Sequence, residues 1–377
     1  MPDPQLANLL DDSIATFLRG GLRFVWNKPV VLISALRTLR HQRLAAGRRH
    51  KWRGRGLAVP PVMILSVTKG CNLRCKGCYA MALHGPGSQS LSEERLDSLL
   101  DEARELGIGI VLLAGGEPLT FKDLLGATAR HPEIVFPLFT NGTLLTPSAV
   151  AHIKGQRHVV PVISIEGDRE ETDGRRGPGV FDRIESAMSL LRKSNVFFGC
   201  SITLTRRNFH IVFSPDWVGS MRKKGCRLFF YVSYVPVEKE TEDLTLTDEQ
   251  IPQIAPLIAR LRDTQPALYQ AFPSEDDCFG GCLAAGRGFV HVNTTGDLEP
   301  CPFSPHADRN ISELSLAIAL RSPLLEKIRS HPSILQETRS GCPLWANREW
   351  VESQAECAGH PSNLPATGNN HIPALPC

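Results

Sequence analysis

Residues 63–67, Met63-Ile64-Leu65-Ser66-Val67, form an apolar run of strand length directly after Pro60-Pro61, and they read as a buried strand. Further on, Leu96, Leu99, Leu100, Ala103 and Leu106 fall on one helical face. Ser92 stands at the capping position before them and Gly107 at the stop. The alternation then repeats, with strand 108–113, a short helix near 121–130, strand 134–139, helix 147–154 and strand 159–165. A helix follows whose Phe181, Ile184, Met188 and Leu191 share a face. Strand 196–204, helix 215–224, strand 227–235 and helix 248–262 complete the series. Six strand–helix units predict an α/β fold with a parallel sheet. Six are too few to close an eight-stranded barrel and suit an open, partial one. Reactive groups in such folds sit at the carboxyl ends of the strands.

Two regions stand apart from this pattern. Residues 1–60 form an arm, with Phe17, Leu18, Leu22, Phe24, Val25 and Trp26 before Pro29 and a helix-like stretch over 30–44. Its end is strongly basic, through Arg37, Arg40, Arg43, Arg48, Arg49, Lys51, Arg53 and Arg55. Arginine interleaved with apolar residues suits an anionic membrane surface or an acidic partner. The plainer reading is a helix across the barrel bottom with a solvated basic face. Residues 266–377 are richer in Pro and Gly and contain six cysteines. The expected division is therefore 1–60, 61–265 and 266–377.

Composition narrows the class of protein. A net charge of +3 over 377 residues gives no reason to expect nucleic acid. No apolar run reaches the ~18 residues of a membrane span. Asp3, Asp11 and Asp12 replace the basic start of a signal peptide, so a cytoplasmic location is expected, with peripheral membrane contact open. Eleven cysteines in a long chain of this kind point to metal or redox chemistry more than to disulfides. None of the twelve histidines lies three or four residues from another, so no helical His–His zinc site is suggested.

Cys71-Asn-Leu-Arg-Cys75-Lys-Gly-Cys78-Tyr79 follows the first strand directly. Three thiolates in eight residues can hold three irons of a [4Fe–4S] cube and leave the fourth iron for a small chelating molecule. Gly77 lets the loop bend around the cube. The alternative is a structural zinc loop, which more often shows paired Cys-x2-Cys units and a fourth ligand. Gly115-Gly116-Glu117-Pro118 ends the second strand, and Glu117 there suits an ammonium group. Thr140-Asn141-Gly142 ends the third strand and Ser164-Ile165-Glu166-Gly167 the fourth. Ser201, Thr203, Arg206 and Asn208 lie on or after the fifth.

Cys-x3-Cys-x2-Cys followed by an aromatic residue resembles the radical S-adenosylmethionine (SAM) superfamily. The resemblance implies a partial (β/α)6 barrel and a cluster that passes one electron to the sulfonium of SAM. It also implies a 5′-deoxyadenosyl radical that takes a hydrogen atom from substrate. Gly115, Gly116, Glu117 and Pro118 match the family's GGEP motif, which binds the cofactor's amino group. Asn141, Ser164 and Ser201 fall where the family contacts the ribose and carboxylate of SAM, and Glu166 and Arg176 could instead face substrate. A low-potential electron donor such as flavodoxin or ferredoxin is implied.

Cys278-Phe-Gly-Gly-Cys282 and Gly296-Asp-Leu-Glu-Pro-Cys301 flank a hairpin signal, Thr294-Thr295-Gly296-Asp297. Cys282, Gly296 and Cys301 resemble the opening of the SPASM and shorter twitch extensions, which hold auxiliary [4Fe–4S] clusters. The later cysteine run of the full SPASM pattern is absent from this sequence, so one auxiliary cluster is expected. Its ligands would be Cys278, Cys282, Cys301 and Cys342, with Cys357 as a substitute for Cys278. Bound zinc, or plain burial, is the alternative. Cys200 and Cys226 read as buried strand residues.

These readings converge on an enzyme that abstracts hydrogen from a small molecule or a peptide, with the auxiliary cluster aiding oxidation or anchoring substrate. A peptide maturase or a lipid-modifying enzyme is the runner-up. A zinc or iron–sulfur scaffold is the rival from another class.

Overall fold

The computed structural model describes residues 4–24, 29–272, 279–336 and 342–357. Seven strands come first: β1 (Val62–Thr68), β2 (Ile110–Gly115), β3 (Phe136–Thr140), β4 (Val159–Ser164), β5 (Gly199–Leu204), β6 (Leu228–Ser233) and β7 (Leu268–Phe272). The hairpin strands β8 (Phe289–Val292) and β9 (Leu298–Glu299) follow. All nine share one sheet in the order β7-β6-β5-β4-β3-β2-β1-β8-β9. Every pairing is parallel except β8 with β9. The sheet begins and ends on different strands and is not closed, so the fold is α/β with an open parallel sheet.

The helices are α1 (Pro4–Leu22), α2 (Pro29–Gly54), α3 (Tyr79–His84), α4 (Glu93–Leu106), α5 (Leu124–Arg130), α6 (Pro147–Gly155), α7 (Arg169–Arg176) and α8 (Val180–Lys193). They continue with α9 (Phe209–Val212), α10 (Pro215–Lys223), α11 (Ile254–Thr264), α12 (Leu316–Ala319), α13 (Pro323–Arg329), α14 (Pro332–Leu335), α15 (Pro343–Ala346) and α16 (Arg348–Cys357). Local chemistry sets many of their ends. Ser92 Oγ accepts the Arg95 amide at 3.1 Å and starts α4. Gly107 stops it in the left-handed conformation, φ 94°, with its amide bonded to the carbonyls of Ala103 and Arg104. Leu96, Leu99, Leu100 and Ala103 of α4 are fully buried, each leucine contributing about 1.5–3 kcal/mol. Thr146 and Ser214 cap α6 and α10 in the same way, each followed by a proline in the first turn.

The six expected units are present, with additions. β7 extends the sheet beyond β6. It is an edge strand whose buried and half-buried positions alternate, so it lacks the continuous apolar run that marks the central strands. α7 has the sequence REETDGRR, which contains no apolar side chain, so hydrophobic periodicity could not reveal it. Its start comes from Asp168, whose carboxylate accepts the Glu171 amide at 3.0 Å. α2 runs on to Gly54, well past the expected 30–44, and α11 begins later than expected, at Ile254. The expected hairpin forms, and it joins the main sheet by laying β8 parallel to β1.

The arm lies across the amino end of the sheet. Gln42 Nε2 donates to Gly109 O at 2.7 Å, Arg48 Nη1 to Arg104 O at 2.8 Å, and Arg49 to Gly107 O and Asp11. Gly107 and Gly109 immediately precede β2, and Arg104 lies in the last turn of the helix before it. The cysteine loop, by contrast, follows the carboxyl end of β1, so arm and loop occupy opposite ends. Among the described residues, no helix is long and apolar enough to cross a membrane.

Candidate active site

The loop from Gly70 to Cys78 is clipped to the end of β2 by backbone contacts. Gly116 N donates to Thr68 O at 2.7 Å and Glu117 N to Gly70 O at 2.8 Å. A Cβ on Gly116 would stand 2.2 Å from Gly70 O, so only glycine fits. The glycine pair therefore lets the end of β2 pack directly against the backbone of the cysteine loop. Gly115 takes φ 119°, and Pro118 is buried in the turn that follows.

Glu117 is 1% exposed and accepts from Thr140 Oγ1 at 2.7 Å, Asn141 N at 2.7 Å and Leu119 N at 3.2 Å. Burial pushes its carboxyl above the usual range while those donors pull the other way. Three of roughly four acceptor positions are in use, which leaves one for an outside donor. The buried Asn141 reaches the cysteine loop, its Nδ2 donating to Asn72 Oδ1 at 2.8 Å. Its Oδ1 accepts Thr143 N at 2.9 Å and Thr143 Oγ1 at 2.6 Å. Ser164 and Ser201 are register partners across β4 and β5. Both are half-buried, and neither hydroxyl has a hydrogen-bond partner among the described residues.

Cys71 is exposed, and Cys75 and Cys78 are half-buried. Burial raises the thiols of Cys71 and Cys75, and each of these also feels the charge of Cys78. Leu73 N donates to Cys71 Sγ at 3.5 Å. At Cys75 the guanidiniums of Arg176 and Arg175 oppose the rise, and Arg176 Nη1 approaches Cys75 Sγ to 4.0 Å.

Glu166 holds both arginines. Its Oε1 accepts from Arg175 Nη1 at 2.6 Å and Arg176 Nε at 2.8 Å, and Oε2 accepts Thr203 N at 3.1 Å. Burial opposes its ionisation, but the two guanidiniums outweigh burial and the carboxyl is held below its ordinary range. Gly77, at φ 64°, lies against Tyr234 and donates its amide to Glu238 Oε2 at 2.9 Å. Arg175, Asn72 and Glu238 were not expected from sequence. They are ordinary polar residues, and only the fold carries them to the loop.

A second group of sulfurs lies nearby. Cys282, Cys301 and Cys342 are all buried, and Cys301 is raised first by burial and then by the charges of Cys342 and Cys282. Burial also pushes Cys342 up to about 11, against the amides of Trp345 and Leu344. Phe303 N donates to Cys301 Sγ at 3.5 Å, repeating the amide–sulfur relation of Leu73 with Cys71. Arg287 ties down the loop before Cys282 through the carbonyls of Phe279, Gly281 and Cys282 at 2.7, 3.0 and 2.6 Å. Cys278 lies outside the described residues. Cys357 ends α16, exposed and disulfide-bonded. Cys200 and Cys226 are fully buried, their sulfurs 3.3 Å apart in the barrel core.

Tyr79 joins the two groups. Its ring centroid is 5.0 Å from that of Phe303, and after burial the charges of Cys78, Cys301 and Glu299 raise its hydroxyl further. Beside it, His291 Nδ1 meets Glu299 Oε2 at 2.7 Å, His291 Nε2 meets Ser66 Oγ at 2.8 Å, and Asn293 Nδ2 donates to Glu299 Oε1 at 2.7 Å. His84 Nδ1 stands 4.0 Å from Glu299 Oε1. The donor atoms of His84, His291 and Glu299 lie within 4.8 Å of one another. The 2.7 Å contact is nevertheless a hydrogen bond. Tetrahedral ligands at 2.0–2.1 Å from zinc would stand about 3.3 Å apart.

The Radical SAM superfamily model matches residues 65–206, from β1 through the end of β5. The chain carries a radical SAM domain. Such a domain implies a [4Fe–4S] cluster and SAM, and three thiols with mutual charge coupling at the mouth of a parallel sheet fit that donor set. The AdoMet-dependent heme synthase of Methanosarcina barkeri (strain Fusaro / DSM 804) is 26% identical over 283 residues, covering 67% of this chain and 80% of the relative. Mycofactocin maturase MftC of Mycobacterium tuberculosis (strain CDC 1551 / Oshkosh) is 28% identical over 269 residues, covering 67% of each chain. The structure of Streptococcus suis SuiB bound to S-adenosylmethionine matches the radical SAM fold here with TM-score 0.61 at 17% identity, over 78% of this chain and 73% of that one. SuiB bound to precursor peptide SuiA gives TM-score 0.62 at 17% identity, over 82% and 75%.

Proposed function

We propose that this radical SAM enzyme takes a hydrogen atom from a small-molecule or peptide substrate and completes an oxidation with the help of an auxiliary iron–sulfur cluster. The carrying observation is Tyr79, which touches Phe303 and lies within reach of the charges on both Cys78 and Cys301. Two sulfur groups with the Tyr79–Phe303 ring pair between their chain segments suit one-electron traffic between them.

When bound, the cluster and SAM would supply the one-electron chemistry that makes hydrogen abstraction from substrate possible. The chain's own residues do the rest. Cys71, Cys75 and Cys78 hold three irons, and Arg175 and Arg176 place positive charge beside Cys75. Gly115, Gly116, Glu117 and Pro118 shape the ledge that receives the amino group of SAM, and Glu117 keeps one acceptor position for it. Asn141 fixes the loop through Asn72. Ser164 and Ser201 offer hydroxyls to the ribose or carboxylate of SAM. Cys282, Cys301 and Cys342 hold the auxiliary cluster, with Cys278 as fourth ligand.

A relative that synthesises heme and another that matures mycofactocin support the two substrate classes, and the peptide-bound SuiB structure supports the second. A cytoplasmic setting and a low-potential donor such as flavodoxin or ferredoxin complete the reading.

Anaerobic reconstitution tests it. The reduced protein should release 5′-deoxyadenosine from SAM, and a Cys71→Ala/Cys75→Ala/Cys78→Ala variant should lose that activity while keeping about four irons. Zinc at the loop with no SAM cleavage would overturn the enzyme. Loss of all iron from the variant would remove the auxiliary cluster.

A further inference from the structure

Between Asp12 and Glu93 the sequence contains no aspartate or glutamate. α2 lies wholly inside this stretch. Its inward side is Leu39, Gln42, Ala45 and Arg49, all buried against the barrel. The opposite stripe, at helical spacing, presents Ile33, Leu36, Arg37, Arg40, Leu44 and Lys51, all exposed. Ile33, Leu36 and Leu44 are 53%, 51% and 49% exposed. Together with Leu9 of α1 they are four of the five exposed large apolar side chains among the described residues. Arg37, Arg40 and Lys51 have no ion-pair or side-chain hydrogen-bond partner among those residues.

We infer that this face of α2 seats the protein on an anionic bilayer surface. Isoleucine and leucine enter the boundary between headgroups and acyl chains. The arginines and lysine lay their aliphatic stems alongside and leave their charges at the phosphate level. The mix of side chains selects this occupant. A nucleic acid or an acidic protein would match the charge and leave three large apolar side chains facing polar groups. A helix carrying only one sign of charge, with apolar side chains between its cations, matches a negatively charged surface with an oily interior.

Placement gives the contact its meaning. α2 covers the amino end of β2, whereas the cysteine loop follows the carboxyl end of β1. A strand of six residues sets these ends about 20 Å apart. The seated enzyme therefore keeps its mouth toward water, and its substrate arrives from that side. Lipid modification, one alternative raised by the basic arm, is not served by this orientation. The bilayer contact itself is independent of the reading of the cysteine sites, whereas the direction from which substrate arrives rests on it.

Flotation of the reconstituted full chain with vesicles is the test. Vesicles of phosphatidylcholine mixed with phosphatidylglycerol should carry the protein, and phosphatidylcholine alone should not. Binding should weaken as salt rises toward about 0.5 M. Ile33→Ser/Leu36→Ser/Leu44→Ser should lower the partition at least tenfold, and Arg37→Ser or Arg40→Ser about fivefold each. Release of 5′-deoxyadenosine should be unchanged in all of them. If the triple variant misfolds, the single arginine variants carry the test. Failure to float with anionic vesicles at low salt would overturn the inference. So would equal flotation of a folded triple variant, the outcome expected of a surface built for nucleic acid or an acidic protein.

Discussion

Arg176 Nη1 stands 4.0 Å from Cys75 Sγ, and the guanidinium is held there by Glu166, which also binds Arg175. A positive charge beside a sulfur ligand favours the more negative, reduced state of whatever that sulfur ligates. Arg176→Gln should therefore lower the midpoint potential of the cluster at Cys71, Cys75 and Cys78 by on the order of 50 mV. Redox titration followed by electron paramagnetic resonance reads this directly. An unchanged or raised potential would show that the guanidinium serves only to pack the loop.

Gly116→Ala tests the clip between β2 and the cysteine loop. The added methyl meets Gly70 O, which cannot move away without breaking its hydrogen bond from Glu117 N and disturbing the nearby one from Gly116 N to Thr68 O. The expected cost is about 2 kcal/mol or more, with reduced iron loading after reconstitution. Gly54→Ala, where nothing lies within 4 Å, is the matched control.

Ser164 and Ser201 face each other in register with no partner for either hydroxyl among the described residues. Ser164→Ala and Ser201→Ala should each raise the KM for SAM several-fold and leave thermal stability almost unmoved, because no protein hydrogen bond is lost. A fall in Tm without a change in KM would assign the pair to packing.

Acid stability reports on His291. Burial pushes its imidazole down to about 3, so the folded protein keeps it neutral, whereas the unfolded chain takes a proton near the ordinary 6.5. The unfolded state binds more protons below pH 6.5, and stability falls from there toward pH 3. His84, held below its ordinary value by burial, acts in the same direction. Glu299, the acid facing both, is pushed up to about 8 by burial and disfavours folding as the pH rises from 4.5 toward 8. His291→Gln should flatten the acid limb by up to about 1.4 kcal/mol per pH unit below 6.5. Thermal unfolding of both proteins between pH 7 and pH 5 measures the difference.

The chain pattern carried the central strands because each is a short apolar run between polar helix faces. It carried the cysteine loop because three sulfurs at fixed spacing have few other uses. It did not carry α7, whose helix is built from charge and a cap. Nor did it carry Arg175, which reaches the loop only because α7 follows β4 on the same rim of the sheet. The hairpin was legible from Thr294-Thr295-Gly296-Asp297. Its place beside β1 was not, since local turn chemistry says nothing about which distant strand a hairpin will meet.

That docking has a consequence for how the molecule is made. Ser66 of β1 bonds to His291 of β8 across 225 residues of chain. β1 must wait for β8, made more than 200 residues later, before its outer edge is covered. A nascent chain lacking residues beyond β7 would expose that edge, along with the buried Ser66, and should be prone to self-association. The C-terminal region is thus not a detachable accessory. It closes the flank on which the first cysteine loop is mounted, and β1 stays open on that side until β8 has been made.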